Sequence, residues 1–275
     1  DILEMSKDDT NDISKRRLVT SNNNSNRTTN RPGTETRSGG LDIHPSLPHL
    51  YATSGNDDGG VVIIRIWDFK RRIVLREEKQ PSLGAAGSGT TTSCALAWSY
   101  PDGRHICVGL AAGDGSDNGA SVAGGVNGTF VILDAESLQV IHEDRRSKKI
   151  LRHIKYCRST TDRGGGGDSA SVSSIIGMAS DDGRVYIHDG TSFKFKWKTE
   201  RLVEQDDGSN DVITSFDFSS DGCFLRVATA SGNLIVYSVD DDGGHIVSAT
   251  TARDISWSTY TCPFNWNIYG LWQQL

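Results

Sequence analysis

Phosphate and metal chemistry need particular residue types, and two segments of this chain carry them. The run Gly113-Asp-Gly-Ser-Asp-Asn-Gly119 follows an apolar, strand-like stretch. A glycine-rich loop cradles phosphate when its amides, and those of a helix after it, point at the anion. No helical periodicity follows Gly119, so half of such a site is missing. Asp114 and Asp117 offer carboxylates for calcium, but EF-hand spacing and its bidentate Glu are absent. The four glycines at 164–167 read as a flexible insert. Seven histidines form no metal-ligand spacing. His44 before Pro45 and His188 before Asp189 read as structural residues on strands. There is no Gly-x-Ser-x-Gly elbow, and no cysteine has a recognisable catalytic context. Cys94, Cys107, Cys157, Cys223 and Cys262 make no Cys-x-x-Cys pair and read as buried thiols in a reducing compartment. The expectation is a chain that is not an enzyme, with no cofactor, no metal and no small-molecule substrate.

Charge and composition narrow the partners. The 275 residues carry 29 Lys and Arg against 35 Asp and Glu, a formal net charge of −6. The cations make no long block, which argues against nucleic acid as a partner. No apolar run approaches the roughly 18 residues a membrane-spanning helix needs. Two short basic clusters stand out: Lys70-Arg71-Arg72 in a tight turn, and Arg145-Arg146 with Lys148-Lys149 in a link between units. Either reads as a solvated turn or as a rim contact for an acidic partner. Asn26 and Asn127 match the glycosylation pattern no better than chance.

The elements that must position these residues are short strands. Residues 1–40 are polar and read as a tail or loop. From Leu41 the texture changes to β-branched runs bounded by Gly, Asp and Asn turns. LDIHP (41–45), HLYATSGNDDGG (49–60), VVIIRIWDF (61–69) and RRIVLRE (71–77) make a unit of four strands. The unit recurs from Cys94 to Glu143, from Leu151 to Lys198, and from Val212 through HIVSATT (245–251). The residues closing each third strand are Asp68, Asp134, Asp189 and Asp240, spaced 66, 55 and 51 residues apart. WD repeats recur about every 40–45 residues. The excess falls in inserts rich in Gly, Ser and Asp at 114–127 and 159–170, where added loop length costs little entropy.

This pattern predicts an all-β chain of WD-type β-propeller blades, about four antiparallel four-stranded sheets in an incomplete ring. The blades span approximately 41–80, 91–145, 150–200 and 211–272, within one segment from 41 to 275. Ser54, Asp58 and Trp67 are the residue types that link neighbouring strands by side-chain hydrogen bonds in such blades. Four blades do not close a ring and would leave exposed edges. Together with a first residue that is Asp and not Met, this suggests a fragment whose other blades lie in sequence on both sides.

The last stretch is the most specific. Residues 253–272, RDISWSTYTCPFNWNIYGLW, hold three of six tryptophans. Alternation at Ile255, Trp257, Thr259 and Thr261, then at Phe264, Trp266 and Ile268, predicts two strands with a turn near Pro263, packed as an outer strand and crossover. The sequence D-I-x-W-x-T-Y-T-C (Asp254, Ile255, Trp257, Thr259, Tyr260, Thr261, Cys262), followed by Tyr269, Gly270 and Trp272, resembles the echinoderm microtubule-associated-protein-like family. Val108-Gly-Leu110 and Val131 to Glu136 resemble a second motif of that family. The resemblance covers roughly 41–272, with the inserts as departures. It implies the C-terminal propeller of a tandem pair, and association with tubulin, microtubules or microtubule-bound proteins. It also implies a place in the cytoplasm, on the cytoskeleton, with the ciliary axoneme as one setting. It transfers no binding site. The alternative from the fold alone is a general WD scaffold in another multiprotein complex.

Overall fold

A sheet sandwiched between two others must be apolar on both faces, so its strands read as continuous apolar runs rather than alternating ones. FVIL (130–133) and ICVGLAA (106–112) are such runs. The computed structural model describes residues 39–56, 61–80, 91–112, 126–159, 173–202, 211–239 and 243–262. These belong to one compact unit spanning residues 36–275.

Four antiparallel sheets are formed among the described residues, each in sequence order. The first holds β1 (Leu41–Ile43), β2 (Leu50–Asn56), β3 (Val62–Asp68) and β4 (Ile73–Gln80). The second holds β5 (Thr91–Trp98), β6 (His105–Ala112), β7 (Thr129–Asp134) and β8 (Val140–Arg145). The third holds β9 (Leu151–Ser159), β10 (Ser173–Ser180), β11 (Arg184–Asp189) and β12 (Phe195–Lys198). The fourth has three strands: β13 (Ile213–Phe218), β14 (Phe224–Thr229) and β15 (Leu234–Ser238). This is an open, WD-type β-propeller.

Period-two alternation explains how the blades stack. On β7, Val131 and Leu133 pack with Ile64, Ile66 and Trp98 between the first two blades. Their neighbours Phe130 and Ile132 face the other way, onto Ile154, Ile176 and Met178 of the third blade. Between the third and fourth blades, Val185 and Ile187 meet Phe216, Phe218, Leu225 and Val227. Gly177 sits at that joint. A Cβ there would come within 2.8 Å of the rings of Phe216 and Phe218. Gly177→Ala is therefore expected to cost about 1–3 kcal/mol by overpacking. Urea unfolding checks this, and wild-type stability would mean the joint has slack.

The aspartates that close the third strands of the first three blades have a common job. Asp68, Asp134 and Asp189 accept the amide three residues on, from Arg71 (2.9 Å), Ser137 (2.7 Å) and Ser192 (2.7 Å). The next residues, Arg72, Leu138 and Phe193, have φ of 55°, 57° and 61°. A bulge in the third-to-fourth strand pairing precedes each turn. The recurring Asp is thus a turn former, bonding its own backbone through a short side chain.

The inner strands β1, β5, β9 and β13 run in the same direction. Asp42 reaches the amide of Trp98, Cys94 reaches the carbonyl of Leu151, and Lys155 reaches Asp217. Turns after first and third strands therefore emerge on one rim. Turns after second strands, and the links between blades, emerge on the opposite rim.

Candidate functional site

Two residues break the apolar rule on a buried face. Asp217 on β13 pairs in register with Arg226 on β14. Their neighbours Phe216, Phe218, Leu225 and Val227 face the third blade, so Asp217 and Arg226 point to the far face of the fourth. Arg226 is only 2% exposed. Its Nη2 donates to Asp217 Oδ2 at 2.8 Å, and its Nε donates to the same oxygen at 3.1 Å. Nη2 also donates to the carbonyl of Thr259 at 3.0 Å. The indole of Trp257 lies 4.4 Å from the guanidinium, and the ring of Tyr260 lies 5.4 Å away.

Asp217 receives further donors from two directions. Lys155 Nζ comes from β9 at 2.8 Å. The amides of Thr261 (3.1 Å) and Cys262 (3.0 Å) and the Thr261 hydroxyl (2.6 Å) come from the closing segment. The Thr259 hydroxyl donates as well. Burial pushes the carboxyl up. The Lys155 charge and the bonds from Lys155, Thr259 and Thr261 outweigh it and hold Asp217 well below the usual carboxylate range. A buried ion pair is costly unless its remaining lone pairs and protons are bonded, and here the closing segment supplies those bonds.

The segment itself departs from the expected form. The fourth strand predicted at 245–251 is a single bridge, Tyr237 to Ile246, followed by a one-turn helix α1 (Ala249–Ala252). The strand predicted through Ile255 and Thr261 is irregular chain with one bridge, Ser219 to Trp257. Its register is held by Ser220 donating to Ser256 and Ser258 donating to the carbonyl of Phe218. Alternation misled because the side chains answer to a charged pair beneath them and not to a pleat. Trp257 and Ala252 pack with Val236, flanked by Phe224, Val247 and Ile255. The segment covers the far face of the fourth blade, where a neighbouring blade would sit in a longer stack.

Of the signature residues, Trp257, Thr259, Tyr260 and Cys262 gather around Asp217 and Arg226. Asp254 is exposed and, among the described residues, its side chain pairs with Arg253. Gly270 and Trp272 lie outside the described residues, as do the predicted turn at Pro263, Asp58, Asp240, the tail up to residue 38 and most of both inserts. Sequence reasoning missed Asp217, Lys155 and Arg226. The available signal was a charge at alternate positions in otherwise apolar strands, SFDF and FLRVAT.

Ser54 and Trp67 each make a side-chain hydrogen bond to a neighbouring segment, and not to each other. Trp67 Nε1 donates to Thr53 Oγ1 at 2.9 Å, while Ser54 Oγ accepts the Gly40 amide at 2.9 Å. Trp67 shares a face with Tyr51 and Thr53, and Ser54 with Ile64, on opposite sides of the sheet. Parity forbids their direct bond.

The two basic clusters lie on opposite rims. Lys70, Arg71 and Arg72 occupy the β3–β4 turn. Arg145 closes β8, and Arg146, Lys148 and Lys149 occupy the link from the second blade to the third. Arg145 Nε donates to the carbonyls of Asn127 and Ser147, and Arg146 pairs with Asp144 at 2.5 Å while lying over Phe195. No single flat contact can use both clusters.

His188 is fully buried among Phe130 and Phe195, with Nδ1 3.0 Å from the Phe193 carbonyl and Nε2 unbonded. Burial pulls it down to about 4 from the ordinary 6.5. Unfolded chain then binds more protons below pH 6.5, so stability falls as pH drops from about 6.5 toward 4, by as much as about 3 kcal/mol. Unfolding of wild type and His188→Asn across that range checks this. The variant should show a shallower slope, with His153 and His44, which shift the same way, supplying the remainder. An unchanged slope would contradict the assignment. Burial also pushes the Cys157 thiol to about 12 and the Cys262 thiol to about 11. His44 Nδ1 accepts the amides of Ser46 and Leu47 and shapes the β1–β2 turn.

An open propeller whose fourth blade is capped by a Trp-Ser-Thr-Tyr-Thr-Cys segment defines the class of protein. Residues 39–275 match the family described as the echinoderm microtubule-associated protein second beta-propeller, and the chain belongs to that family. It is 27% identical to echinoderm microtubule-associated protein-like 3 of Homo sapiens over 66% of this chain and 18% of that protein. It is 22% identical to the 77 kDa echinoderm microtubule-associated protein of Strongylocentrotus purpuratus, over 86% of this chain and 27% of that protein. It is 24% identical to the ciliary WD repeat-containing protein ctxp80 of Euplotoides octocarinatus, over 80% of this chain and 27% of that protein. The chain thus spans about a quarter or less of the length of these relatives. Among the described residues, no helix is long and apolar enough to cross a membrane.

Proposed function

We propose that this propeller is a non-catalytic binding module of a microtubule-associated protein and contributes to its association with tubulin, microtubules or an axonemal doublet. The observation that carries the reading is the family match across 39–275, with relatives named for microtubules and for cilia. Its place in the cell is then the cytoskeleton, with cytoplasmic microtubules and the ciliary axoneme as settings. Capping of the fourth blade supports the reading indirectly. Trp257 and Cys262 of the signature are buried and Thr259 bonds the Asp217 carboxylate, so these residues are occupied within the cap, while turns and inserts lie on the rims, where recognition loops sit. Co-sedimentation of the full chain with polymerised tubulin at two salt concentrations tests it. Pelleting that weakens with salt is expected, because an acidic lattice and a basic turn attract through screened charges. A chain that stays in the supernatant at both concentrations overturns the reading.

A further inference from the structure

The rims differ in what they leave available. On the link rim, Arg145 and Arg146 are tied to backbone carbonyls, Asp144 and Phe195. On the turn rim, Lys70 and Arg72 are exposed and have no acidic partner among the described residues. Arg71 makes only a long contact, 3.7 Å, to Asp68. The nearby acids are already engaged. Asp68 is buried and holds the Arg71 amide, Asp102 pairs with Arg104, and Asp42 holds the amide of Trp98.

Beside these cations lies exposed apolar surface. Phe69 is 73% exposed, the highest of any large hydrophobic residue among those described. Its amide donates to the carbonyl of His49, in the same turn as exposed Leu47. That turn is joined to the next blade by Ser46 Oγ donating to the Pro101 carbonyl, which brings in exposed Tyr100. Tyr100 in turn lines a cleft of about 520 Å³ between the inner strands, whose wall includes the exposed side chains of Leu41 and Ile43. Exposed apolar side chains thus sit on hydrogen-bonded turns between a triply basic turn and a central cleft.

We propose that this surface is a docking track for an acidic peptide bearing an apolar side chain. Lys70, Arg71 and Arg72 hold its carboxylates, while Phe69, Leu47 and Tyr100 guide the apolar group toward the cleft. The charge pattern favours this occupant over nucleic acid: three cations on a chain of net charge −6 are too few for the phosphate neutralisation that drives such binding. The proposal deepens the microtubule-associated reading and rests on it for the source of the peptide.

The test is fluorescence anisotropy of a short Glu-rich peptide with one central Phe, titrated with the full chain. The variants are Lys70→Ser/Arg71→Ser/Arg72→Gly, with Gly chosen to suit the positive φ of Arg72, and Phe69→Ser. The control is Lys148→Ser/Lys149→Ser on the opposite rim. The triple variant should weaken binding at least about tenfold and flatten its salt dependence. Phe69→Ser should weaken it while keeping that dependence, and the control should bind as wild type does. Undiminished binding by the triple variant, equal loss in the control, no binding by wild type, or tighter binding of a single-stranded oligonucleotide would each overturn the proposal. Co-sedimentation of the same proteins separates the two readings. A triple variant that pellets as wild type does defeats the track alone. A wild type that binds peptide but never pellets defeats the microtubule reading alone.

Discussion

Asp217→Ala is expected to destabilise the chain by about 3–5 kcal/mol, the cost of stranding buried charge. The carboxylate neutralises Arg226, which is 2% exposed, and accepts from Lys155. It also accepts the amides of Thr261 and Cys262. Its removal leaves a guanidinium without a counter-charge and two amides without acceptors. Urea unfolding of Asp217→Ala beside Asp217→Leu/Arg226→Met separates the causes. The double variant should lose less than the single one, because it leaves no buried guanidinium without a counter-charge, although the two amides still lose their acceptor. A single variant within about 1 kcal/mol of wild type would show that solvent reaches the pair. The acid response has a fixed sign. A carboxyl held far below its ordinary 3.8 contributes stability above that value and loses it only as pH falls into strong acid.

Trp257→Ala is expected to cost about 3–5 kcal/mol, the usual range for deleting a buried aromatic. Its indole is 8% exposed and packs on Val236 and Ala252. It also lies over the Arg226 guanidinium at 4.4 Å, an attraction that strengthens when desolvated. The two roles separate in a double-mutant cycle of Trp257→Ala with Arg226→Met. Coupling of about 1 kcal/mol or more is expected for groups in contact. Additive losses would mean that the indole serves only as apolar cover.

Much of the fold was legible because a stacked sheet needs apolar side chains on both faces. FVIL and ICVGLAA therefore announced themselves, and the Asp residues at 68, 134 and 189 marked each blade by ending its third strand. Family membership was legible in the closing motif. The form of that segment was not. Ile255, Trp257, Thr259 and Thr261 alternate as a strand would, yet Ile255 packs on Val236 and Ala252, Trp257 lies over Arg226, and Thr259 and Thr261 bond Asp217, 42 and 44 residues earlier. Long-range pairing of a buried charge leaves no period in the sequence. For Ser54 and Trp67 the residue types indicated side-chain links between neighbouring strands, while the partners, Gly40 and Thr53, are set by strand register. The basic clusters looked equivalent in sequence. Only topology sets them on opposite rims, and only the bonds of Arg145 and Arg146 show that these two arginines are already engaged.

The closing segment is a cap on the fourth blade anchored by Asp217. Hydrogen exchange at the amides of Thr261 and Cys262 tests this most directly, since both donate to that carboxylate. Irregular chain on a surface exchanges through local opening at little cost, whereas core strands open only near the global free energy. Protection at these two amides comparable with that of β13 and β14 is expected, and its loss in Asp217→Ala. Exchange in the wild type as fast as in an exposed turn would contradict it, and would return the signature residues to the list of surfaces free to bind a partner.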